Sequence, residues 1–239
     1  MNNPYASKAL ELIQRGYTVI PLNGKKPVTD GWQNLRNVTA DQVYEWERAG
    51  LWRNIGLVTG AASGNTVVID FDGLAGYELF KAAFPDLQNT MMVATGSGNG
   101  MHCYYKVDLL PDSRALLNIV IDSGELINIE FKSDGKQVVI PPSVHPETGK
   151  EYAVFNRAPI MEVSNLAGVW EWVKSLRPDV QEWQPPTTNQ RSDELNPKLL
   201  AAVERHFSAQ PHKMNHGWIN CSCPNTVNHK HGDRDFSFG

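Results

Sequence analysis

A chain of 239 residues, 41% of them hydrophobic, can bury a core and has room for one ordinary domain plus a small appendage. Its formal charge of −4 argues against a generically basic nucleic-acid-binding domain, but not against a protein that gathers carboxylates at one metal site. No stretch of about 18 apolar residues occurs, the first residues mix charge with hydrophobicity, and three cysteines are too few for a disulfide framework, so a soluble protein of a reducing cytoplasm, without membrane contact, is expected.

Ala9, Leu10, Leu12 and Ile13 recur at helical spacing within residues 6–15, and Gly16 marks the stop. Residues 17–22 read as a buried strand closed by Asn23-Gly24, which leaves Lys25 and Lys26 in a loop. Thr39 with Gln42 predicts a capping box that opens a helix through Val43, Tyr44 and Trp46, ending near Gly50. From Asn54 the texture turns to short β-rich runs punctuated by glycine: NIGLVTG, TVVIDFD, MMVATG, HCYYKV, ELINIEF and QVVIPPS, with a helix over 74–84. Residues 152–155 add a further strand, and Ser164 is expected to cap a helix through Val169, Trp170, Trp172, Val173 and Leu176 that stops at Pro178. Residues 179–195 lose all periodicity and gather Pro, Thr, Asn and Gln, the chemistry of a linker. The expected organisation is therefore a catalytic domain over 1–178, a linker over 179–195, and a short helix with a Cys/His segment over 196–239, the start of a longer C-terminal region.

Along TVVIDFD the period of two puts Val67, Ile69 and Phe71 on one face and Val68, Asp70 and Asp72 on the other. Two carboxylates this close cost free energy unless a cation sits between them, which makes the pair a candidate divalent-metal site; alone it reads equally well as a strand running into an Asp-Gly turn. INIEFK repeats the device, with Ile127, Ile129 and Phe131 on the apolar face and Asn128, Glu130 and Lys132 opposite. Three carboxylates suffice for two-metal nucleotidyl transfer, in which one ion activates a 3′-hydroxyl and the other stabilises leaving pyrophosphate. Between them lies TGSGNGMHCYYK, whose glycines at 96, 98 and 100 let backbone N–H groups approach an anion; a plain hairpin is the simpler reading of the same loop. No lysine-serine pair follows, so it is not a P-loop. In the next strand His102, Tyr104 and Lys106 share one face, and Cys103, Tyr105 and Val107 the packed one.

These segments, in this order, resemble the Prim-Pol domain of bifunctional DNA primase-polymerases in the archaeo-eukaryotic primase superfamily, over roughly residues 5–178. GYTVIPLNGKKPVTDGW is similar to that family's N-terminal signature, NIGLVTGAASGNTVVIDFD to its first catalytic motif, TGSGNGMHCYY to its nucleotide-binding motif and IEFKSDGKQVVIPPSVHPETGKEY to its third. The resemblance implies a two-lobed α/β (α+β) fold with an RRM-like catalytic sheet, packed against an N-terminal module with the active cleft between. It implies that Asp70, Asp72 and Glu130 bind Mg²⁺ or Mn²⁺ and that His102 holds the incoming nucleotide's phosphates, with Lys132 assisting and Ser97, Gly98 and Gly100 shaping the pocket. Ser143 and His145 stand in a loop beside it. The partners it implies are a single-stranded DNA template, NTPs or dNTPs, and a helicase domain in a longer chain of phage or plasmid origin. The sequence departs from the family's commonest pattern in carrying Glu130 where aspartate is frequent and SGNGMH where a tighter loop is usual. Lys25, Lys26, Arg36, Arg53 and Asn54 are further candidates for template or triphosphate contacts, although solvated surface charge is the commoner role for each.

In the tail, Cys221, Cys223, His229 and His231 are of the right types to bind Zn²⁺, though the spacing lacks the usual two-residue gap between cysteines and His216 could replace one of them. Two other functions compete. VVIDFDG also fits a HAD-like phosphohydrolase with a nucleophilic aspartate, and a catalytically inactive DNA-binding replication module would keep the same fold.

Overall fold

A computed structural model describes residues 3–176, among which four helices and eleven strands form. Asn3 starts α1 (Pro4–Gln14): its side-chain oxygen accepts from the Tyr5 and Ala6 N–H groups at 2.9 and 3.3 Å, and Pro4 fills a position where a missing N–H costs nothing. Gly16, at φ 82°, turns the chain into β1 (Val19–Asn23), which hairpins into the short β2 (Lys26–Pro27). Thr39 caps α2 (Ala40–Arg48) by accepting from the Gln42 N–H at 3.3 Å. Next come β3 (Asn54–Val58), β4 (Thr66–Asp72), α3 (Leu74–Ala83), β5 (Met92–Ala94) and β6 (Gly100–Val107). The remaining elements are β7 (Arg114–Val120), β8 (Leu126–Lys132), β9 (Gln137–Val139), β10 (Ala153–Asn156), β11 (Met161–Val163) and α4 (Ala167–Ser175).

The strands form two sheets. A small antiparallel one runs β2-β1-β3-β9, and a larger one runs β10-β5-β6-β4-β8-β7, with β11 added parallel to the far end of β6. Period-two alternation decides how these stack. Val67, Ile69 and Phe71 of β4, Cys103 and Tyr105 of β6 and Ile127, Ile129 and Phe131 of β8 enter one apolar cluster, which α3 and α4 cover through Phe80, Val169 and Val173. The opposite face sends Val68, Val93 and Tyr104 into a second cluster with Ile20, Leu22 and Ile55 of the small sheet and Ala6 and Ala9 of α1. The large sheet is thus packed on both faces. Polar residues interrupt its upper face where β4 and β8 carry carboxylates.

Two local expectations change, and two strands appear that the pattern does not mark. Lys26, expected in a loop, pairs with Asn23 as part of β2. The α4 helix is not capped by Ser164: its first N–H groups are met from one residue later, where Asn165 accepts from the Ala167 N–H at 3.0 Å and Leu166 holds the cap position without a side-chain bond. β7 escapes the alternation test because Asn118 sits at φ 56° inside it and the pairing with β8 shifts register between Leu116 and Ile119. β11 is too short to carry a pattern. Pro178, the linker over 179–195 and the segment over 196–239 lie outside the described residues. Among the described residues no helix is long and apolar enough to cross a membrane.

Candidate active site

β4 lies between β6 and β8 and is antiparallel to both, so its residues face partners on either side. The register sets Asp70 directly between His102 on β6 and Glu130 on β8; two residues on, Asp72 faces Gly100 and Asn128. Like charges directly opposite one another destabilise a sheet, so the Asp70–Glu130 pairing demands a cation. Lys132 supplies one. Its ammonium binds the Glu130 carboxylate and lies 3.8 Å from Asp70 Oδ2, while His102 Nε2 lies 3.4 Å from Asp70 Oδ1. Asp72, at the exposed end of the strand, accepts from the Asn128 amide at 3.2 Å.

These side chains form the floor of a cleft of about 380 Å³. Lys25 reaches it from the β1–β2 turn, Thr95 and Ser97 from the β5–β6 loop, Gln137 from β9, and His145 and Tyr152 from the segment between β9 and β10. Burial by itself would raise the Asp70 carboxyl, but His102, Lys132 and Lys25 outweigh it and hold the group below its ordinary value. It is therefore an anion at neutral pH, poised for a cation. Burial, with the Lys25 charge, pushes His145 below the ordinary histidine value, against the smaller pull of Glu147. Neutral His145 accepts at Nδ1 from the Glu147 and Thr148 N–H groups at 3.3 and 3.4 Å, which fixes its proton on Nε2. Its ring stacks on Tyr152, which in turn lies 6.0 Å from the His102 ring.

The glycine-rich loop is a hairpin between β5 and β6. The Gly98 N–H goes to the Thr95 carbonyl and the Asn99 N–H to the Ser97 hydroxyl, so neither donor is left for an anion. Ser97 and Thr95, whose hydroxyls are 2.7 Å apart, are what the loop presents to the cleft. Two of its glycines are required by close approach. A Cβ at Gly96 would stand 2.5 Å from the Lys150 carbonyl oxygen and 2.6 Å from His145 Cβ, and one at Gly100 would stand 2.9 Å from the Phe71 carbonyl oxygen.

Donor chemistry at the floor suits a hard divalent cation, since Asp70, Asp72 and Glu130 offer carboxylate oxygens alone. Among the described residues no three acidic, His or Cys side chains converge on one point, and Glu130 is paired with Lys132. The candidate zinc ligands Cys221, Cys223, His229 and His231 lie outside the described residues.

Every sequence-derived candidate on β4, β6 and β8 reaches this cleft or its loop. Of the five further cationic or polar candidates only Lys25 lines it. Arg36 pairs with Asp134 at 3.5 Å, and Asn54 is buried as a clamp: its amide donates to the carbonyls of Gly24 and Val144 at 2.9 and 2.7 Å and accepts from the Val144 N–H at 3.0 Å. Sequence reasoning gave Thr95 and Tyr152 no role although both lie within motifs of the family resemblance; folding brings them to the cleft from loops flanking the sheet. No curated protein matches the chain. Residues 9–166, more than half of it, match the family model described as bifunctional DNA primase/polymerase, N-terminal. The carboxylate-bearing strands, the hairpin between them and the loop holding His145 all fall inside that match, and the chain belongs to the Prim-Pol family of DNA primases and polymerases.

Proposed function

We propose that the chain is a template-directed nucleotidyltransferase that makes primers and extends them on single-stranded DNA, using the archaeo-eukaryotic primase fold over residues 1–178. One observation carries this reading: within a Prim-Pol match, the register of three adjacent strands brings Asp70, Glu130 and His102 side by side on the floor of a cleft. Asp70 and Asp72, with Glu130 once it leaves Lys132, would hold Mg²⁺ or Mn²⁺. Such ions, when bound, activate the primer 3′-hydroxyl for attack on the α-phosphorus and neutralise the departing pyrophosphate.

The protein's own groups would do the rest. Lys132 keeps the Asp70–Glu130 pair neutralised before substrate arrives and is then free to meet phosphate charge. Lys25 and the hydroxyls of Thr95 and Ser97 line the wall where a triphosphate would lie. His102 Nε2 stands beside Asp70, so a nucleotide phosphate reaching that carboxylate also meets the imidazole. Tyr152, buried between His102 and His145, would hold the two imidazoles in place at the cleft wall.

The test incubates the protein with single-stranded template, Mg²⁺ or Mn²⁺ and labelled nucleotides, with and without a primer, beside Asp70→Ala. Unprimed products that vanish in the variant are expected. Products that survive in Asp70→Ala would overturn the metal assignment. DNA binding without any product would favour the inactive replication module, and phosphate release from simple esters would restore the phosphohydrolase.

A further inference from the structure

On the same face of the large sheet, beyond Tyr104, a second cleft of about 580 Å³ opens where β6 passes under α1 and the β10–β11 connection. Its floor is apolar, built from residues such as Leu12, Met91 and Ile160, and its rim is basic. Four cations, Lys8, Arg15, Lys106 and Arg157, surround it against one carboxylate, Glu162, although the whole chain carries a formal charge of −4. Lys8 and Arg15 are partly neutralised by Glu11 at 2.8 and 2.7 Å. Lys106 and Arg157 make no side-chain hydrogen bond or ion pair among the described residues, even though Glu162 is the register partner of Lys106.

Two aromatic residues line this cleft. Tyr17 is half-buried at its edge, and Tyr104 is 1% exposed with a hydroxyl that has no hydrogen-bond partner. A buried hydroxyl without a partner costs free energy unless a ligand or water completes it. An apolar and aromatic floor that accepts a flat ring, free cations at the rim and an unsatisfied hydroxyl below together match a nucleotide: base on the floor, phosphates at the rim. An uncharged peptide or lipid would use the apolar floor but would leave the two free cations without a fixed anion.

We propose that this cleft is a second nucleic-acid site, separate from the catalytic one, that seats a nucleotide of single-stranded DNA between Lys106 and Arg157. It lies about 13 Å along β6 from His102, four residues at strand rise, so the two sites share a strand but not their lining residues. This inference adds a strand-anchoring site to the polymerase reading, but it is tested by binding alone, so the two stand or fall separately.

The experiment measures fluorescence anisotropy of a labelled oligothymidylate about eight nucleotides long against the full chain, in EDTA, across about 50 to 200 mM salt. Lys106→Ala with Arg157→Ala should weaken binding about tenfold and lower the slope of log affinity against log salt by about 1.4, as two lost phosphate contacts on a single strand require. Tyr17→Ala should weaken binding without changing that slope, and Glu162→Gln should strengthen it. Since Lys106 and Arg157 make no side-chain hydrogen bond or ion pair among the described residues, an unchanged thermal midpoint is expected for the double variant. An unchanged affinity and slope would overturn the proposal. So would a loss seen with fluorescent dATP but not with the oligonucleotide, which would make the cleft a free-nucleotide site. Intact strand binding with no nucleotide incorporation would instead strike the polymerase reading and leave this site standing.

Discussion

The same lysine lowers the pKa of both Asp70 and His145, which leaves the first charged and the second neutral. Lys25 helps to hold the Asp70 carboxyl ionised, and adds to burial in keeping His145 neutral. A carboxyl whose folded value is depressed contributes stability that is full above its unfolded value, about 3.9, and is lost as pH falls through the folded one. Asp70 therefore stays ionised through the neutral range, and the acid limb of any activity profile there belongs to another group. For His145 the depressed value means that the unfolded chain binds the proton first, so stability declines as pH falls through about 6.5 toward the folded value. NMR titration of the ring should place its midpoint below the ordinary value, and Lys25→Met should move it up; a midpoint that does not respond would remove Lys25 from the cleft's electrostatics. His102→Ala is expected to raise the KM for nucleotide by roughly tenfold or more, through the lost hydrogen bond to a charged group, while leaving the fold intact. An unchanged KM would mean that the imidazole serves Asp70 alone.

Among the elements, the loops matter as much as the strands. Asn54, at the start of β3, ties the turn that carries Lys25 to the segment that carries His145, through three hydrogen bonds made by one buried amide. Asn54→Ala should cost about 2–3 kcal/mol, since it strands buried backbone groups as well as losing bonds, and roughly 4–12 °C in thermal midpoint. Nucleotide affinity should fall with it even though Asn54 touches no substrate; a variant that loses stability but keeps its KM would show that Lys25 and His145 hold their places without the clamp. Here the sequence misleads in an instructive way. A polar Asn beside Arg53, at the head of a catalytic motif, reads as a contact residue or as solvated surface, because nothing in a one-dimensional pattern distinguishes a buried amide that bonds to backbone from an exposed one. The glycine-rich loop is open to two readings, and the structure shows the hairpin: the Gly98 and Asn99 N–H groups are used within it.

At the scale of the molecule, the described residues by themselves build two apolar clusters, one on each face of the large sheet. A fragment covering 1–178 should therefore unfold cooperatively, with a midpoint close to that of the full chain, and should add nucleotides to a primed template. If the tail binds zinc through Cys221, Cys223, His229 and His231, elemental analysis will find one equivalent in the full chain and none in the fragment; zinc retained by the fragment would place the metal elsewhere.

The identity of β4, β6 and β8, the facing of Asp70, Asp72, Glu130 and Lys132, and the family were legible from the sequence alone, because strand alternation is a local property with a period of two and the motifs are contiguous. The pairing that makes those residues a site was not. Whether Asp70 meets Glu130 or a residue two places along depends on the register of β8 against β4, and their segments are separated by more than fifty residues of intervening chain. The same holds for the cation between the carboxylates. The sequence requires one on electrostatic grounds, but only the folded sheet, which sets Lys132 beside Glu130 and within reach of Asp70, makes it part of the protein itself.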